Sequence, residues 1–232
     1  MSRIRVAVTA ALLGMAALTA CSSSSSSSSN SSGDKPDSTS DGEKQISAPA
    51  LKPITKDLAQ AQISQAVPGD GELLPGYSLH GTKSVTEGQY CQDSDDDSAP
   101  KGWVRGADAS YEYNGSTLNM VYVHICLFET AKDAHRAYAA WKGDEKSKQQ
   151  APTKPVGDES TLVINPGISD DSVYGYSRSG KANIRVKVDG GTAGDPSGAQ
   201  AMLTATLKRL QQAQADKQPT ATAADEQATA SK

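Results

Sequence analysis

The sequence predicts an α+β fold, in which an antiparallel sheet of about four to five strands packs against about three helices and one disulfide links two segments. Two observations favour this class. Asn114-Gly115 lies between two runs of strand-forming residues, as in a tight hairpin. Further runs with an alternating apolar pattern follow later, and stretches with a helical apolar stripe separate them. Elements in this order favour an antiparallel sheet with helices packed on it.

The first predicted hairpin surrounds Asn114-Gly115, because these two residues tolerate the positive φ angles of a type I′ turn. Pairing Tyr113 with Ser116 would place Tyr111 opposite Leu118. The later part of the second strand is apolar on both faces. This pattern predicts that the second strand is central in the sheet.

Three helices and three further strands complete the predicted fold. Each helix has apolar residues at helical spacing, and two of them have a capping residue before the first turn. Ser179-Gly180 is a turn signal that would join the last two strands as a hairpin. One predicted helix begins after Thr55, and the other two cover Glu129–Lys142 and Pro196–Ala213. The further predicted strands are Ser160–Ile164, Ser172–Arg178 and Lys181–Val188.

The chain divides into four segments by composition. Residues 1–20 have the charged start and short apolar run of an export signal, and residues 21–54 are a polar tether rich in serine. Residues 55–213 have the length of one α+β domain. Residues 214–232 are mostly Ala, Thr, Gln and charged residues, and this composition predicts a disordered tail.

The end of the first apolar run carries a lipidation motif. Arg3 and Arg5 precede the run from Val6 to Leu18, which ends in Leu18-Thr19-Ala20-Cys21. This ending resembles the lipobox of bacterial lipoproteins. The resemblance implies a diacylglycerol on the thiol of Cys21, cleavage just before this residue, and anchoring at the outer face of the cell membrane. An ordinary secreted protein with cysteine at its cleavage site is the alternative.

The charge balance restricts the choice of partners. The chain carries 23 Lys and Arg against 27 Asp and Glu, and cleavage before Cys21 would remove Arg3 and Arg5, which leaves a net charge of −6. Without a basic patch, neither nucleic acid nor an anionic lipid surface is an expected partner. The predicted membrane contact is therefore the lipid anchor at Cys21, and the predicted partner is an unknown envelope component or protein.

Cys91 and Cys126 are the two cysteines that remain after lipidation of Cys21. An exported protein folds in an oxidising environment, so we expect these two residues to form a disulfide. A redox-active pair is the alternative, but their separation lacks the C-x-x-C spacing of redox motifs.

Motifs for catalysis and metal binding are incomplete in this chain. No G-x-S-x-G elbow is present, and His80, His124 and His135 lack the spacing of zinc ligands. The acidic stretch Asp93–Asp97 lacks the glycine and glutamate of an EF-hand loop. We therefore expect no catalytic residue, no metal and no cofactor, and a protein that is not an enzyme.

Tyrosine is abundant in the predicted domain, whereas the chain has only one Phe. A tyrosine ring can both stack on a ligand and hydrogen-bond to it. Packing within the sheet is the alternative role. The candidate ligand-binding residues are Tyr77, Tyr111, Tyr113, Tyr174 and Tyr176.

Several features of the chain belong together: they are the lipobox, the serine-rich tether, the Leu73–Tyr77 turn, the cysteines Cys91 and Cys126, and the Val156–Glu159 turn. With these features the chain resembles small exported lipoproteins of high-GC Gram-positive bacteria. Some of these are similar in layout to the sensor domains of actinobacterial Ser/Thr kinases. The resemblance implies helices packed on an antiparallel sheet, in a binding or sensor-like module. A cell-envelope hydrolase and a transporter-associated solute receptor are the alternatives.

Overall fold

Most of the predicted domain is described by a computed structural model, which covers residues 52–92, 98–143, 148–165, 171–190 and 195–230. These residues belong to one compact unit. The predicted signal peptide 1–20, Cys21 and nearly all of the tether lie outside the described residues, as does the Asp93–Asp97 stretch. None of the helices in the described ranges has the length and apolar character needed to span a membrane.

Seven antiparallel strands form one sheet, in the order β1-β2-β3-β7-β6-β5-β4. The predicted α+β class is confirmed, but the described residues contain more strands than the four to five predicted, and four α-helices instead of three. The strands are β1 (Tyr77–Ser84), β2 (Trp103–Tyr113), β3 (Ser116–Phe128), β4 (Lys148–Gln150), β5 (Glu159–Asn165), β6 (Ser172–Ser179) and β7 (Ala182–Asp189). The helices are α1 (Gln60–Ala66), α2 (Ala131–Gly143), α3 (Ser197–Gln214) and α4 (Ala223–Ala230), with a 3₁₀ turn at Gly88–Cys91.

The two strands that the sequence pattern missed lie at the edges of the sheet. β1 contains Gly81 and is exposed at most of its positions, and β4 has only three residues. An edge strand pairs on one side only, and natural edges are kept short or irregular. Such strands lack the apolar alternation on which the prediction depended.

The register of the β2–β3 hairpin also differs from the prediction. Tyr113 pairs with Ser116 as expected, but Tyr111 pairs with Val121, because β3 is irregular just after the turn. The predicted pairing of Tyr111 with Leu118 is therefore wrong. Side chains alternate along a strand, so this odd shift of three residues exchanges the two faces of β3. It buries Val121 beside Tyr111 and leaves Leu118 83% exposed.

The first face of the sheet packs against α1 and α3. Gly175 in β6 allows α3 to approach closely, since a Cβ atom there would lie 2.7 Å from the side chain of Leu203. Most of the hydrophobic core lies on this face. Its burial stabilises the folded chain by about 25 cal/mol per Å² of apolar surface removed from water. The central residues of the first face are Tyr111, Val121, Val123, Ile125, Ile184, Val186 and Val188.

The second face is covered at one end by α2, which contacts β3, β6 and β7. An apolar cluster forms there around Trp141 of α2 and Tyr176 of β6, and both side chains are fully buried. Cys91 and Cys126 belong to this cluster and form a disulfide, which confirms the predicted pair. The disulfide joins the 3₁₀ turn to β3.

The chain enters the domain at the turn between β6 and β7. Ile54, which the sequence assigns to the tether, is fully buried, and its carbonyl accepts a 2.8 Å hydrogen bond from the N–H of Lys181. Gly180 has a φ of +56°, and a Cβ atom there would lie 2.1 Å from the carbonyl oxygen of Ile54. Only glycine satisfies both conditions. The tether therefore joins the sheet at this turn.

The C-terminal segment packs on the domain up to residue 230, which corrects the predicted disordered tail 214–232. Ala223 at the start of α4 is fully buried. Thr222 caps α4, because its Oγ accepts a hydrogen bond from the N–H of Asp225 at 3.2 Å and donates to the carboxylate of Asp225 at 2.7 Å. A local capping signal and packing on α3 outweigh the polar composition of this segment.

Arg209 of α3 is a buried cation that joins three segments of the chain, and only 2% of the residue is exposed. Its guanidinium donates to the carbonyls of Gln65 and Ala66 at the end of α1, at 2.8 and 3.1 Å. One nitrogen lies 2.8 Å from a carboxylate oxygen of Glu72 and also donates to the carbonyl of Ala221 at 3.2 Å. One side chain thus satisfies the open carbonyls of α1 and holds the segment before α4.

Replacing Arg209→Met is expected to lower the free energy of unfolding by about 3–5 kcal/mol, because the carboxylate of Glu72 and the buried carbonyls lose their partner. Lys208→Met is the matched control. The ion pair of Lys208 with Glu226 is partly exposed, so its loss should cost less than about 1 kcal/mol. Urea denaturation followed by circular dichroism measures both values. Equal losses in the two variants would contradict the role given to Arg209.

Candidate functional site

A basic side chain lies between two aromatic rings on the second face of the sheet. Tyr174 of β6, Lys187 of β7 and Tyr122 of β3 are consecutive register partners across three strands. The Nζ atom of Lys187 lies 5.5 Å from the ring centroid of Tyr122 and 5.7 Å from that of Tyr174. Both distances are in the range of cation–π contacts. We refer to Tyr122, Lys187 and Tyr174 as the Tyr–Lys–Tyr row.

Two polar groups extend the Tyr–Lys–Tyr row at the end of β7. The Nζ atom of Lys187 lies 2.8 Å from a carboxylate oxygen of Asp189, and the other oxygen of this carboxylate accepts a 2.6 Å hydrogen bond from the hydroxyl of Ser172. Burial acts to lower the pKa of Lys187, but the hydrogen bond to Asp189 and the nearby tyrosines outweigh it, so the net pKa is raised. The ammonium group therefore stays charged at neutral pH.

A second set of aromatic and basic side chains lies one step nearer to α2. The guanidinium carbon of Arg185 lies 4.8 Å from the ring centroid of Trp141. The Trp141 and Tyr176 rings are 6.2 Å apart and tilted by 58°. Tyr176 is also parallel to Tyr174 within 8°, at a centroid distance of 6.2 Å. The rings of the row are thus continuous with the apolar cluster under α2.

His124 of β3 lies beside this set and is held neutral. Its register partners are Arg185 on one side and Asp108 on the other. Burial is the main cause that lowers the pKa of His124 to about 4, the charge of Arg185 lowers it further, and the carboxylate of Asp108 opposes both. At neutral pH the imidazole therefore carries no charge.

The hydroxyl groups near His124 are bonded to a carboxylate. Asp108 accepts hydrogen bonds from Ser84 and from Thr86, the latter at 2.7 Å. The rings of the other two histidines hydrogen-bond to carboxylates, His80 to Glu112 at 2.9 Å and His135 to Glu159 at 3.0 Å. Among the described residues, no hydrogen bond joins a serine or threonine hydroxyl to a histidine ring. The described histidines therefore lack the nucleophile that a catalytic triad requires.

The sheet divides the five predicted tyrosines between its two faces. Tyr77, Tyr111 and Tyr113 lie at the first face near the β2–β3 turn, and the rings of Tyr77 and Tyr113 are 5.2 Å apart. The hydroxyl of buried Tyr111 donates to the carbonyl of Pro68 at 2.9 Å. Tyr77 and Tyr111 line a narrow apolar crevice with no room for a water molecule. Tyr174 and Tyr176 lie on the second face, so the five rings form no common surface.

Burial differs between the members of each group. Tyr111 and Tyr176 are fully buried, as packing residues are, whereas Tyr174 is half-buried and Tyr113 is 39% exposed. Burial of the hydroxyl is the main cause that raises the pKa of Tyr77. The role of the five residues in ligand binding stays a prediction, and Tyr174 is the one that lies beside basic and acidic groups on the second face.

Sequence reasoning missed Tyr122, Lys187 and Trp141. The turn at Ser179-Gly180 could have revealed part of the row, because pairing Ser179 with Ala182 places Tyr174 opposite Lys187. The alternation of β7 already puts its basic residues on one face. Tyr122 could not be found this way, since its position depends on the pairing of β3 with β7, which are far apart in the sequence.

Comparison with solved structures gives a weak structural likeness. No protein-family model and no curated protein matches the chain. The chain is similar to the crystal structure of the extracellular domain of PknH from Mycobacterium tuberculosis, with 12% sequence identity and a TM-score of 0.49. The alignment covers 69% of this chain and 98% of that chain. A likeness at this level assigns neither a function nor a site residue.

The neutral state of His124 predicts a specific dependence of stability on pH. The pKa is about 4 in the folded chain and 6.5 when unperturbed, so the unfolded chain binds more protons between these values. Stability from this residue is therefore complete above pH 6.5 and is lost as the pH falls towards 4, by an amount on the order of 3 kcal/mol. In the His124→Gln variant this loss should be absent.

Urea denaturation of both proteins at intervals from pH 8 to pH 4 measures the effect. The values at pH 8, where the imidazole is neutral in the folded and the unfolded chain, serve as the reference for each protein. Parallel curves for the wild type and His124→Gln would contradict the prediction.

Proposed function

We propose that the protein is a lipid-anchored extracytoplasmic binding module, which recognises its partner through the Tyr–Lys–Tyr row. The lipobox at Leu18-Thr19-Ala20-Cys21 and the serine-rich tether support the location. The disulfide between Cys91 and Cys126 is consistent with an oxidising compartment. The observation that carries the proposal is Lys187, a charged side chain held between two tyrosine rings on the second face of the sheet.

Exposure distinguishes the row from the packing residues beside it. Trp141 of α2 and Tyr176 of β6 are fully buried where the helix meets the sheet, whereas the side chain of Lys187 is 31% exposed and that of Asp189 is 22% exposed. Tyr122 and Tyr174 are half-buried. Interior packing would favour apolar side chains at these positions, since a buried charge is costly unless it is paired. Tyrosine can stack on a ligand and hydrogen-bond to it, so partly exposed rings beside paired charges suit recognition.

The alternatives from the sequence have less support. A hydrolase of the Ser-His-Asp type requires a hydroxyl nucleophile bonded to a histidine, and the described residues contain no such pair. A receptor with two lobes requires two folded units that close on a ligand, whereas the described residues contribute their strands to one sheet. A single-sheet module with a recognition surface is therefore the function that the geometry favours.

The position of the row along β7 fits a tethered module. Ile54 joins the sheet at Lys181, and Lys187 lies six residues further along the strand, or about 20 Å at 3.3 Å per residue. The row is therefore well separated from Ile54, where the tether ends and the domain begins. A tether attached at one end of the sheet does not itself cover the other end, where a partner in the envelope would bind.

Replacing Cys21→Ser is expected to release the mature protein from the membrane, because Cys21 is the only residue proposed to carry acyl chains. Cell fractionation and immunoblotting measure the distribution. The Cys91→Ala and Cys126→Ala double variant is the matched control, since it removes cysteines without touching the lipobox and should remain in the membrane fraction. Mature, signal-cleaved Cys21→Ser protein retained at the membrane at the wild-type level would contradict the lipid anchor.

Replacing Tyr122 by the photoreactive analogue p-benzoylphenylalanine is expected to give covalent adducts when intact cells are irradiated. The same analogue at Tyr90, which lies on the 3₁₀ turn and is 52% exposed, is the matched control for random encounters. Electrophoresis and mass spectrometry identify the adducts. No adduct specific to position 122 would reject the row as the recognition surface.

A further inference from the structure

The Tyr–Lys–Tyr row and Asp189 together carry the groups that recognise a saccharide without net charge. We propose that the partner of this surface is a neutral oligosaccharide of the cell envelope, an inference that rests on the proposed function. Three features support it: the flanking rings, the compensated charges, and the positions of the exposed apolar side chains.

The partly exposed rings of the row lie on either side of Lys187, at a spacing that the sheet sets. Tyr122 and Tyr174 flank Lys187 on neighbouring strands, and strands in a sheet are about 4.8 Å apart, so the two tyrosines are about 10 Å apart across the sheet. A sugar ring presents C–H groups on its faces, and these pack on aromatic rings. Two rings at this spacing would bind separate units of one oligosaccharide.

The polar groups between the rings match the hydroxyl groups of a sugar. Lys187 has three N–H donors, and the Asp189 carboxylate accepts hydrogen bonds. A sugar hydroxyl both donates and accepts, so it can bond to the ammonium and to the carboxylate at once. The hydroxyl of Ser172, which donates to Asp189, completes the polar set.

The charges on this surface favour a neutral ligand. Lys187 and Asp189 lie 2.8 Å apart, so each compensates the other. An acidic sugar would be repelled by Asp189, and an amino sugar would be repelled by Lys187. The excess of acidic residues in the whole chain also disfavours a polyanion.

A protein partner fits this surface less well. Protein interfaces are centred on large apolar or aromatic side chains that are exposed before binding. Among the described residues, the exposed large hydrophobic side chains all lie outside the row: they are Val85, Tyr90, Tyr113 and Leu118. The half-buried rings of the row offer shallow contacts, which suit a sugar chain better than a protein.

The test uses the full-length mature protein in detergent and an array of immobilised neutral oligosaccharides, with pyranose and furanose types, beside oligogalacturonate as the acidic probe. Wild-type protein is expected to bind at least one neutral type. Tyr122→Ala and Tyr174→Ala should each weaken this binding by about tenfold or more, as should Asp189→Ala by removing the acceptor. Tyr90→Ala, an exposed ring outside the row, should bind as the wild type does. Thermal unfolding checks that each variant is folded.

The outcomes separate the two proposals. No neutral oligosaccharide bound, or binding that the row variants leave unchanged, would overturn the saccharide inference. Binding of oligogalacturonate alone, weakened by Tyr122→Ala, would overturn the neutral ligand but leave the binding module intact. A protein adduct as the only product of irradiation at position 122 would also overturn the neutral saccharide but leave the binding module intact. Failure of the proposed function is instead seen as the absence of any adduct specific to that position.

Discussion

The register between the two central strands determines what each face of the sheet carries. Val121, Val123 and Ile125 of β3 lie opposite Val188, Val186 and Ile184 of β7, and these six apolar side chains pack towards the helices on the first face. Their neighbours in the sequence must point the other way, so the charged and aromatic residues of both strands are placed on the second face. A slip of one residue would bury basic side chains under α3 and expose valines. The position of the Tyr–Lys–Tyr row is therefore a consequence of core packing.

The first face depends in addition on one buried cation. Helices α1 and α3 can pack on the sheet only if the open carbonyls at the end of α1 are satisfied, and Arg209 satisfies two of them. The same guanidinium is compensated by Glu72, whose backbone carbonyl accepts a hydrogen bond from Ala223 at the start of α4. A cation buried to this extent requires all of its partners at once. The loop after α1, helix α3 and the C-terminal segment are therefore coupled.

Local signals in the sequence predicted the elements that they control, and missed those that depend on distant partners. Thr130 and Asp133 cap α2 as expected, and Asp195 accepts a hydrogen bond from the N–H of Ser197 at the start of α3. The disulfide and the last hairpin also follow from short-range or compositional evidence. The edge strands were missed, because edges carry a weak apolar pattern. The C-terminal helix was missed, because its composition is polar and its packing depends on Arg209.

The candidate site shows the same division. The opposition of Tyr174 and Lys187 follows from a two-residue turn, so sequence alone could have given it. The addition of Tyr122 depends on the pairing of β3 with β7 and on the irregular start of β3, which no local pattern reveals. The abundance of tyrosine predicted a shared tyrosine surface, but the abundance of a residue type does not determine where its members lie. Abundance could not distinguish rings that pack inside the domain, such as Tyr111 and Tyr176, from rings beside polar groups.

The packing beneath the row bears on how well it can bind. Tyr176 is fully buried against Trp141, and Tyr174 lies parallel to Tyr176, so the orientation of one ring of the row is set by the core. Lys187 is held at the other side by Asp189. Side chains that are already ordered lose little conformational entropy when a ligand arrives, and this preorganisation favours affinity from a small contact area. In the proposed role, a shallow surface of three strands would therefore not need the deep pocket that a mobile set of side chains would require.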